Sequence, residues 1–166
     1  CRNFPAVFTT AVGSVVTDVD GNSYIDFFDG AGALNYGHNN PYIKGKVIEY
    51  LQGDGVMHWM DMMTAPKAEL IETMQTKILQ PRGLNYKIAF PGPTGTNCIE
   101  LALKLARKAK QRSNVWAYMG AFHGMTLGSM ELTTDRTDRN AAGISLGNCT
   151  HIPAPYMFPE LDTIKY

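Results

Sequence analysis

The segment from Phe90 to Glu100 constrains the fold of this chain most strongly, because three local structures follow one another in it without a gap. An apolar run that starts at Tyr86 stops at Phe90, and a loop of Pro, Gly and Thr comes next. A strongly helical stretch, Asn97 to Arg112, then begins at once. The pattern predicts a strand that leads into a helix through a short turn.

The turn between this strand and helix is predicted to bind an anion. The first turn of a helix has unpaired N–H groups and the positive end of the helix dipole, which favour an anion, most often phosphate. Gly95 would let the backbone approach the anion closely, and the hydroxyl groups of Thr94 and Thr96 would add donors. The helix itself is expected to bury a regular apolar stripe and to pair Glu100 with Lys104 on its outer face.

A second apolar run, Val115 to Met119, follows the helix and completes a predicted βαβ unit with parallel strands. Ligands in such sheets bind beyond the carboxyl ends of the strands, so Pro91–Thr96 and Gly120–Gly124 are expected at one edge of one site. Taken alone, Phe122 and His123 are better explained as a core ring and a turn residue. Their place beside the anion turn favours a functional role, in which the Phe122 ring stacks on a flat heterocycle.

The first part of the chain predicts a hairpin followed by a loop and helices. Two β-rich runs, Val15–Val19 and Tyr24–Phe28, flank an Asp-Gly turn, which is a strong hairpin signal. A glycine-rich loop starts at Asp29, and helices are predicted to begin at Pro41 and near Thr64.

Composition excludes several classes of function. The 166 residues include 15 Lys and Arg against 15 Asp and Glu, so no basic surface for nucleic acid is predicted. The four histidines lack metal-ligand spacing, so no metal site is expected, and no apolar run has the length of a membrane span. Three cysteines without paired spacing favour a reducing compartment, which predicts a cytoplasmic protein.

Four motifs, in order along nearly the whole chain, resemble the class III aminotransferases, which use pyridoxal 5'-phosphate (PLP). They are Val19-Asp-Gly-Asn-Ser-Tyr-Ile-Asp-Phe27, Asn35-Tyr-Gly-His-Asn-Asn-Pro41, Thr94-Gly-Thr-Asn-Cys-Ile-Glu-Leu-Ala-Leu-Lys-Leu-Ala-Arg107 and Phe122-His-Gly124. The resemblance implies an α/β fold, the N-terminal part of a fold-type I PLP-dependent transferase. Residues 1–55 would contribute to the small domain, and residues 56–166 would begin the large PLP-binding domain.

The resemblance also implies roles for individual residues. Gly95 and Thr96 would bind the cofactor phosphate, Phe122 would cover its ring, and His123 and Gly124 would shape the ring pocket. Ala31 and Tyr36, in the glycine-rich loop, would approach the substrate. The segment 57–64 resembles the part of such enzymes that lies at a dimer boundary, so a homodimer or a higher homo-oligomer is expected.

No residue of this chain is expected to be catalytic. The family's lysine that binds the cofactor covalently lies well downstream of the Phe122 motif, and none of the lysines here is a substitute for it. The chain starts at Cys1 rather than at Met, and a helix is expected to begin at Pro159, so we expect a piece of a longer protein that is inactive alone.

The finer resemblance is to the ectoine-pathway subgroup of the family, on Gly30–Pro41, Asp61–Glu69, Leu79–Lys87 and Gly92–Asn97. That subgroup moves an amino group between glutamate or 2-oxoglutarate and aspartate 4-semialdehyde or 2,4-diaminobutyrate. The alternatives are another ω-aminotransferase of the family, acting on ornithine, acetylornithine or 4-aminobutyrate, and a non-catalytic phosphate- or nucleotide-binding module. The latter has less support, because neither a P-loop nor a dinucleotide-binding glycine motif is present.

Overall fold

The structure is a computed structural model that describes residues 5–157. Their contacts form two compact units, one that ends at Arg82 and one that begins at Gly83. Each unit has its own sheet, with three strands in the first and two in the second. The domain boundary expected near residue 55 stays a prediction. The helix expected from Pro159, like Cys1, lies outside the described residues.

The first unit opens with a three-stranded antiparallel meander. Strands β1 (Phe8–Val12), β2 (Val15–Asp18) and β3 (Ser23–Ile25) pair in chain order. The predicted hairpin is confirmed, with Val16 opposite Tyr24. Strand β1 was not predicted, although Phe8 to Val12 is β-branched in composition and precedes Gly13, whose φ of +58° suits a tight turn.

Asp18 organises the turn of this hairpin. Its side chain is buried and accepts hydrogen bonds from the backbone N–H groups of Asp20 and Asn22, from the Asn22 amide and from the Tyr24 hydroxyl, at 2.8 to 3.0 Å. These donors, the Asn22 side chain first among them, lower the pKa of the Asp18 carboxyl despite its burial. The turn is therefore stabilised by a charged carboxylate.

The lowered pKa predicts an acid-sensitive contribution to stability. A carboxyl whose pKa is lower in the folded state stabilises the fold above its unfolded pKa of about 3.9, and this contribution is lost as pH falls through the folded value. We therefore expect Asp18→Asn to lower stability at pH 7 and to reduce the further loss between pH 4 and 2. Denaturant unfolding at each pH measures this, with exposed Asp20→Asn as the control. If wild type and Asp18→Asn lose the same free energy of unfolding between pH 4 and 2, the prediction is wrong.

A loop and three helices complete the first unit. A single turn, α1 (Asp29–Gly32), contains left-handed φ values at Gly30 and Ala31. Helix α2 (Pro41–Gln52) begins where predicted, and the Asn40 side chain accepts hydrogen bonds from its first N–H groups. Helix α3 (Ala65–Thr73) continues as a π-helical turn (Met74–Leu79) and a 3-10 turn (Gln80–Arg82).

The second unit is built on a parallel strand pair. Helix α4 (Gly95–Lys110) leads to β4 (Val115–Tyr118), and two short helices, α5 (Leu127–Leu132) and α6 (Arg136–Asn140), connect β4 to β5 (Cys149–Ile152). Strands β4 and β5 pair in parallel, from Val115 opposite Cys149 to Tyr118 opposite Ile152. Leu103, Ala117 and Leu132 form the core, so α4, β4 and α5 pack on one another.

The predicted βαβ unit of 86–90, α4 and 115–119 is therefore not formed, although its helix and its second strand are present as α4 and β4. Residues 84–93 contain no strand, and β4 pairs with β5, which was not predicted. A strand exists only through hydrogen bonds to a neighbouring strand, so an apolar run such as 86–90 does not become one by composition alone. The apolar stripe predicted for α4 is also narrower in the structure. Of its predicted members, Leu103 is buried and Ile99 is half-buried, whereas Ala102, Ala106 and Ala109 are exposed.

Residues 5–157 contain neither a membrane-spanning helix nor a cluster of metal-binding side chains. Within that range, no helix combines the length and the apolar character that a membrane crossing needs. The same range holds no group of His, Cys, Asp and Glu side chains arranged to bind a metal ion.

Candidate functional site

The turn before α4 is shaped by Thr94 and Asn97. The Asn97 Oδ1 atom accepts hydrogen bonds from the Thr94 backbone N–H at 3.2 Å and from its hydroxyl at 2.6 Å. Gly92 lies close to the same amide, since a Cβ at Gly92 would be 2.8 Å from Asn97 Oδ1. The turn is therefore held from within its own segment by the Asn97 side chain, and the Thr94 hydroxyl, predicted as a donor to the anion, is used inside the turn.

Gly95 is the first residue of α4 and faces open space. A Cβ built on Gly95 would meet no atom of another described residue within 4 Å beyond its chain neighbours and its own helix backbone, and the φ of Gly95 lies outside the left-handed region. Among the described residues, no hydrogen bond is formed by the backbone N–H of Gly95 or Thr96. Both N–H groups are therefore available to an external acceptor at the positive end of the α4 dipole.

Thr96 connects this turn to the loop after β4. Its hydroxyl lies 2.6 Å from Ser129 Oγ and 2.8 Å from Thr126 Oγ1, so it is part of a hydroxyl cluster at the start of α5. Gly124 lies against the same side chain. A Cβ on Gly124 would be only 2.7 Å from Thr96 Cβ and 2.8 Å from Ser129 Oγ, and the φ of Gly124 is +125°.

Glu100 forms the acidic side of this cluster. Its carboxylate accepts the Ser129 backbone N–H at 3.0 Å and a short hydrogen bond from the Thr126 hydroxyl, and so contacts the N-terminus of α5. The expected pairing of Glu100 with Lys104 on the outer face is wrong, because α5 packs on that side of α4. The sequence signal that was missed is Thr126-Leu-Gly-Ser129, a capping residue with a second hydroxyl three positions later.

The loop Gly120–Gly124 brings the other predicted residues to this side of the unit. The Phe122 side chain is 65% exposed, so it does not belong to the core. His123 is half-buried and Gly124 is buried. The structure therefore brings Gly124 into contact with Thr96, as the sequence predicted for the two loops. The Phe122 ring projects outward from the loop that connects β4 to Gly124.

Ala31 and Tyr36 lie in the first unit, on a loop that is fixed at its base. The His38 Nε2 atom is 2.7 Å from Asp26 Oδ2, and the other oxygen of Asp26 accepts the backbone N–H groups of Phe28 and Asp29. The hydrogen bond from His38 is the main cause that lowers the pKa of Asp26. Ala31 is exposed and Tyr36 is 76% exposed, so both side chains are accessible on this unit.

The segment 57–64, expected at a dimer boundary, exposes large apolar side chains. Met57, Trp59, Met60, Met62 and Met63 are all between 57% and 80% exposed. Such a patch is typical of a surface that another chain covers. The dimer itself stays a prediction.

The comparisons with known proteins agree with one another. The family model described as Aminotransferase class-III matches residues 1–164. The diaminobutyrate–2-oxoglutarate transaminase of Nocardia farcinica is 53% identical over 92% of the chain, which corresponds to 35% of that protein. The enzymes of the same name from Bordetella parapertussis and Sporosarcina pasteurii are 51% and 50% identical over 99% of the chain, or 38% and 39% of their own lengths.

Solved structures show the same fold. The taurine:2-oxoglutarate aminotransferase from Bifidobacterium kashiwanohense, solved with PLP and glutamate, superposes with a TM-score of 0.78 at 25% identity, covering 96% of this chain and 35% of the other. The ornithine aminotransferase of Toxoplasma gondii gives 0.76 at 22% identity, covering 92% of this chain and 37% of the other. The predicted α/β fold, that of a portion of a fold-type I transferase, is confirmed. The chain spans little more than a third of the relatives it matches.

Proposed function

Because this chain belongs to the class III aminotransferases, we propose that it is part of a PLP-dependent enzyme that moves an amino group between two substrates. The donor and acceptor pairs are glutamate with 2-oxoglutarate, and 2,4-diaminobutyrate with aspartate 4-semialdehyde. The support for this choice is the identity of 50% to 54% to relatives that carry the name diaminobutyrate–2-oxoglutarate transaminase.

The observation that carries the proposal is the open space in front of Gly95. Glycine costs a helix interior about 1 kcal/mol relative to alanine, and at this position neither the backbone conformation nor a neighbour among the described residues requires it. A ligand that approaches the backbone closely does require it. The residues present therefore fit the PLP phosphate, held by the N–H groups of Gly95 and Thr96, while the Thr96 hydroxyl is hydrogen-bonded to Thr126 and Ser129.

The remaining residues would surround the rest of the cofactor. When bound, PLP supplies an electron sink for the carbon that carries the substrate amino group. Phe122 would cover its ring and exclude water from one face, and His123 and Gly124 would line the ring pocket. Ala31 and Tyr36 would approach the substrate. We assign no catalytic residue and no covalent lysine to this chain.

The proposal extends to assembly and location. The exposed apolar segment 57–64 would be covered by a second copy in a homodimer or a higher homo-oligomer. The two free cysteines of the described range, Cys98 and Cys149, suit the reducing cytoplasm.

A substrate assay of the complete protein tests the activity. The protein that contains this chain is incubated with PLP, 2-oxoglutarate and 2,4-diaminobutyrate, and glutamate is quantified. Parallel reactions contain ornithine, acetylornithine or 4-aminobutyrate as the donor. We expect the highest kcat/KM with 2,4-diaminobutyrate. Preference for another donor would support the alternative aminotransferases, and an absence of turnover with every donor would favour a non-catalytic module.

The role of Phe122 gives a separate prediction. Phe122→Ala in the complete protein is expected to weaken PLP binding by about 1–3 kcal/mol, because a large ring no longer covers the cofactor. Fluorescence titration of the cofactor-free protein with PLP measures the change. Trp116→Ala is a matched control, since Trp116 is 71% exposed on β4. Equal PLP affinity in Phe122→Ala and wild type would remove Phe122 from the site.

A further inference from the structure

The loop Gly120–Gly124 is held by hydroxyl groups of two neighbouring threonines. The Thr133 hydroxyl accepts the His123 backbone N–H at 3.0 Å and donates to the Gly124 carbonyl at 3.0 Å. The Thr134 hydroxyl accepts the Gly120 N–H at 3.0 Å and lies 3.3 Å from the Ala121 carbonyl. We call the hydroxyl groups of Thr133 and Thr134 the threonine clasp.

The clasp binds the loop on both sides of Phe122. The Ala121 carbonyl also accepts the Thr134 backbone N–H at 3.2 Å, so each end of the loop has two backbone groups in hydrogen bonds. In the described range, no hydrogen bond involves the Phe122 backbone. The loop is therefore fixed at its ends, while Phe122 projects outward at its centre.

The clasp lies in the short segment between α5 and α6, which is itself held by Arg139 of α6. Thr133 is fully buried and directly follows α5, and its carbonyl accepts a hydrogen bond from Arg139 Nη1 at 3.0 Å. The same nitrogen donates to the carbonyls of Met130 and Glu131, at 3.0 and 2.8 Å. Arg139 therefore satisfies the last carbonyls of α5 and fixes the position from which the clasp reaches the loop.

We propose that Thr133 and Thr134 are positioning residues for the cofactor site, whose hydroxyl groups set the place of Phe122 and Gly124 relative to Thr96. This inference rests on the proposed function, because Phe122 matters only if it covers the PLP ring. Threonine is rarely buried completely, and here burial is explained by two hydrogen bonds to loop backbone groups. A hydroxyl with two backbone partners stabilises one loop conformation, which reduces the ordering that a ligand must impose when it binds.

Valine and serine substitutions in the complete protein test the clasp. Thr133→Val keeps the branched shape and removes the hydroxyl, whereas Thr133→Ser keeps the hydroxyl and removes a methyl group. Two quantities are measured on each variant: amide hydrogen exchange over Gly120–Gly124 in the cofactor-free protein, and the dissociation constant for PLP. We expect Thr133→Val to increase exchange at His123 and to weaken PLP binding about tenfold. Thr133→Ser is expected to restore both quantities to within about twofold of wild type.

Two results would overturn the proposal. One is wild-type affinity for PLP in Thr133→Val, and the other is an equal loss in the serine and valine variants, which would show that shape matters and the hydroxyl does not. If Thr133→Val does not fold, the half-buried Thr134→Val replaces it, and wild-type affinity in that variant also overturns the proposal. A wild-type protein that binds no PLP would refute the proposed function itself, which distinguishes the two failures.

Discussion

Replacing Gly95 by valine is expected to weaken PLP binding to the complete protein by about 30- to 150-fold, or about 2–3 kcal/mol. The branched side chain would occupy the open space in front of α4 and keep the phosphate from the N–H groups of Gly95 and Thr96. The same substitution should leave the fold intact, because no described neighbour lies within 4 Å of the added Cβ and valine is a better helix residue than glycine.

This combination of effects separates a ligand site from a structural site. The free energy of unfolding of the cofactor-free protein should be unchanged or slightly raised, while the dissociation constant for PLP rises. Gly147→Val is a matched control, because Gly147 belongs to the same unit and a Cβ built there also meets no neighbour in the described part of the chain within 4 Å. If Gly95→Val and Gly147→Val bind PLP with equal affinity, the phosphate does not lie at this turn.

Gly124→Ala is expected to be the most destabilising single substitution that we predict, at about 3 kcal/mol or more. Two costs add at this position. The φ of +125° is strained for any residue with a Cβ, and that atom would also overlap with the Thr96 and Ser129 side chains, of which Ser129 is fully buried and hydrogen-bonded to Thr96. The loss should appear in denaturant unfolding, and PLP binding should weaken with it.

Gly143→Ala isolates the backbone cost from the overlap. Gly143 has a φ of +67°, but a Cβ there would meet no neighbour within 4 Å among residues 5–157, so we expect a loss of only about 1–2 kcal/mol. The excess loss in Gly124→Ala measures the close packing of the two loops. Equal losses in both variants would show that Gly124 is needed for its backbone conformation alone.

Local signals were sufficient for the elements that depend on local chemistry. The Asp-Gly turn between β2 and β3, the Asn40-Pro41 start of α2 and the Thr94-Gly95 start of α4 are each specified within a few residues, and each was predicted within two or three positions. The approach of Gly124 to Thr96 was also predicted, and it holds although the strand assumed before α4 is not formed, because the loop after β4 reaches the start of α4.

Contacts between segments that are distant in the sequence could not be predicted from local signals. Residues 86–90 have the composition of a strand but form none, whereas Cys149–Ile152, with a polar Thr-His centre, pairs with β4. The hydrogen-bond partners of Glu100 were predicted wrongly for a related reason. Its acceptor role depends on Thr126 and Ser129, more than 20 residues away, and spacing on the α4 surface alone favours a pair with Lys104.

The most direct test of the central claim is a crystal structure of the complete protein with PLP. The decisive quantities are the distances from the phosphate oxygens to the backbone nitrogens of Gly95 and Thr96. We predict about 2.7–3.2 Å for both, with the Phe122 ring in contact with one face of the pyridine ring. A phosphate bound elsewhere, with both nitrogens beyond hydrogen-bond distance, would contradict the assignment of this turn as the cofactor site.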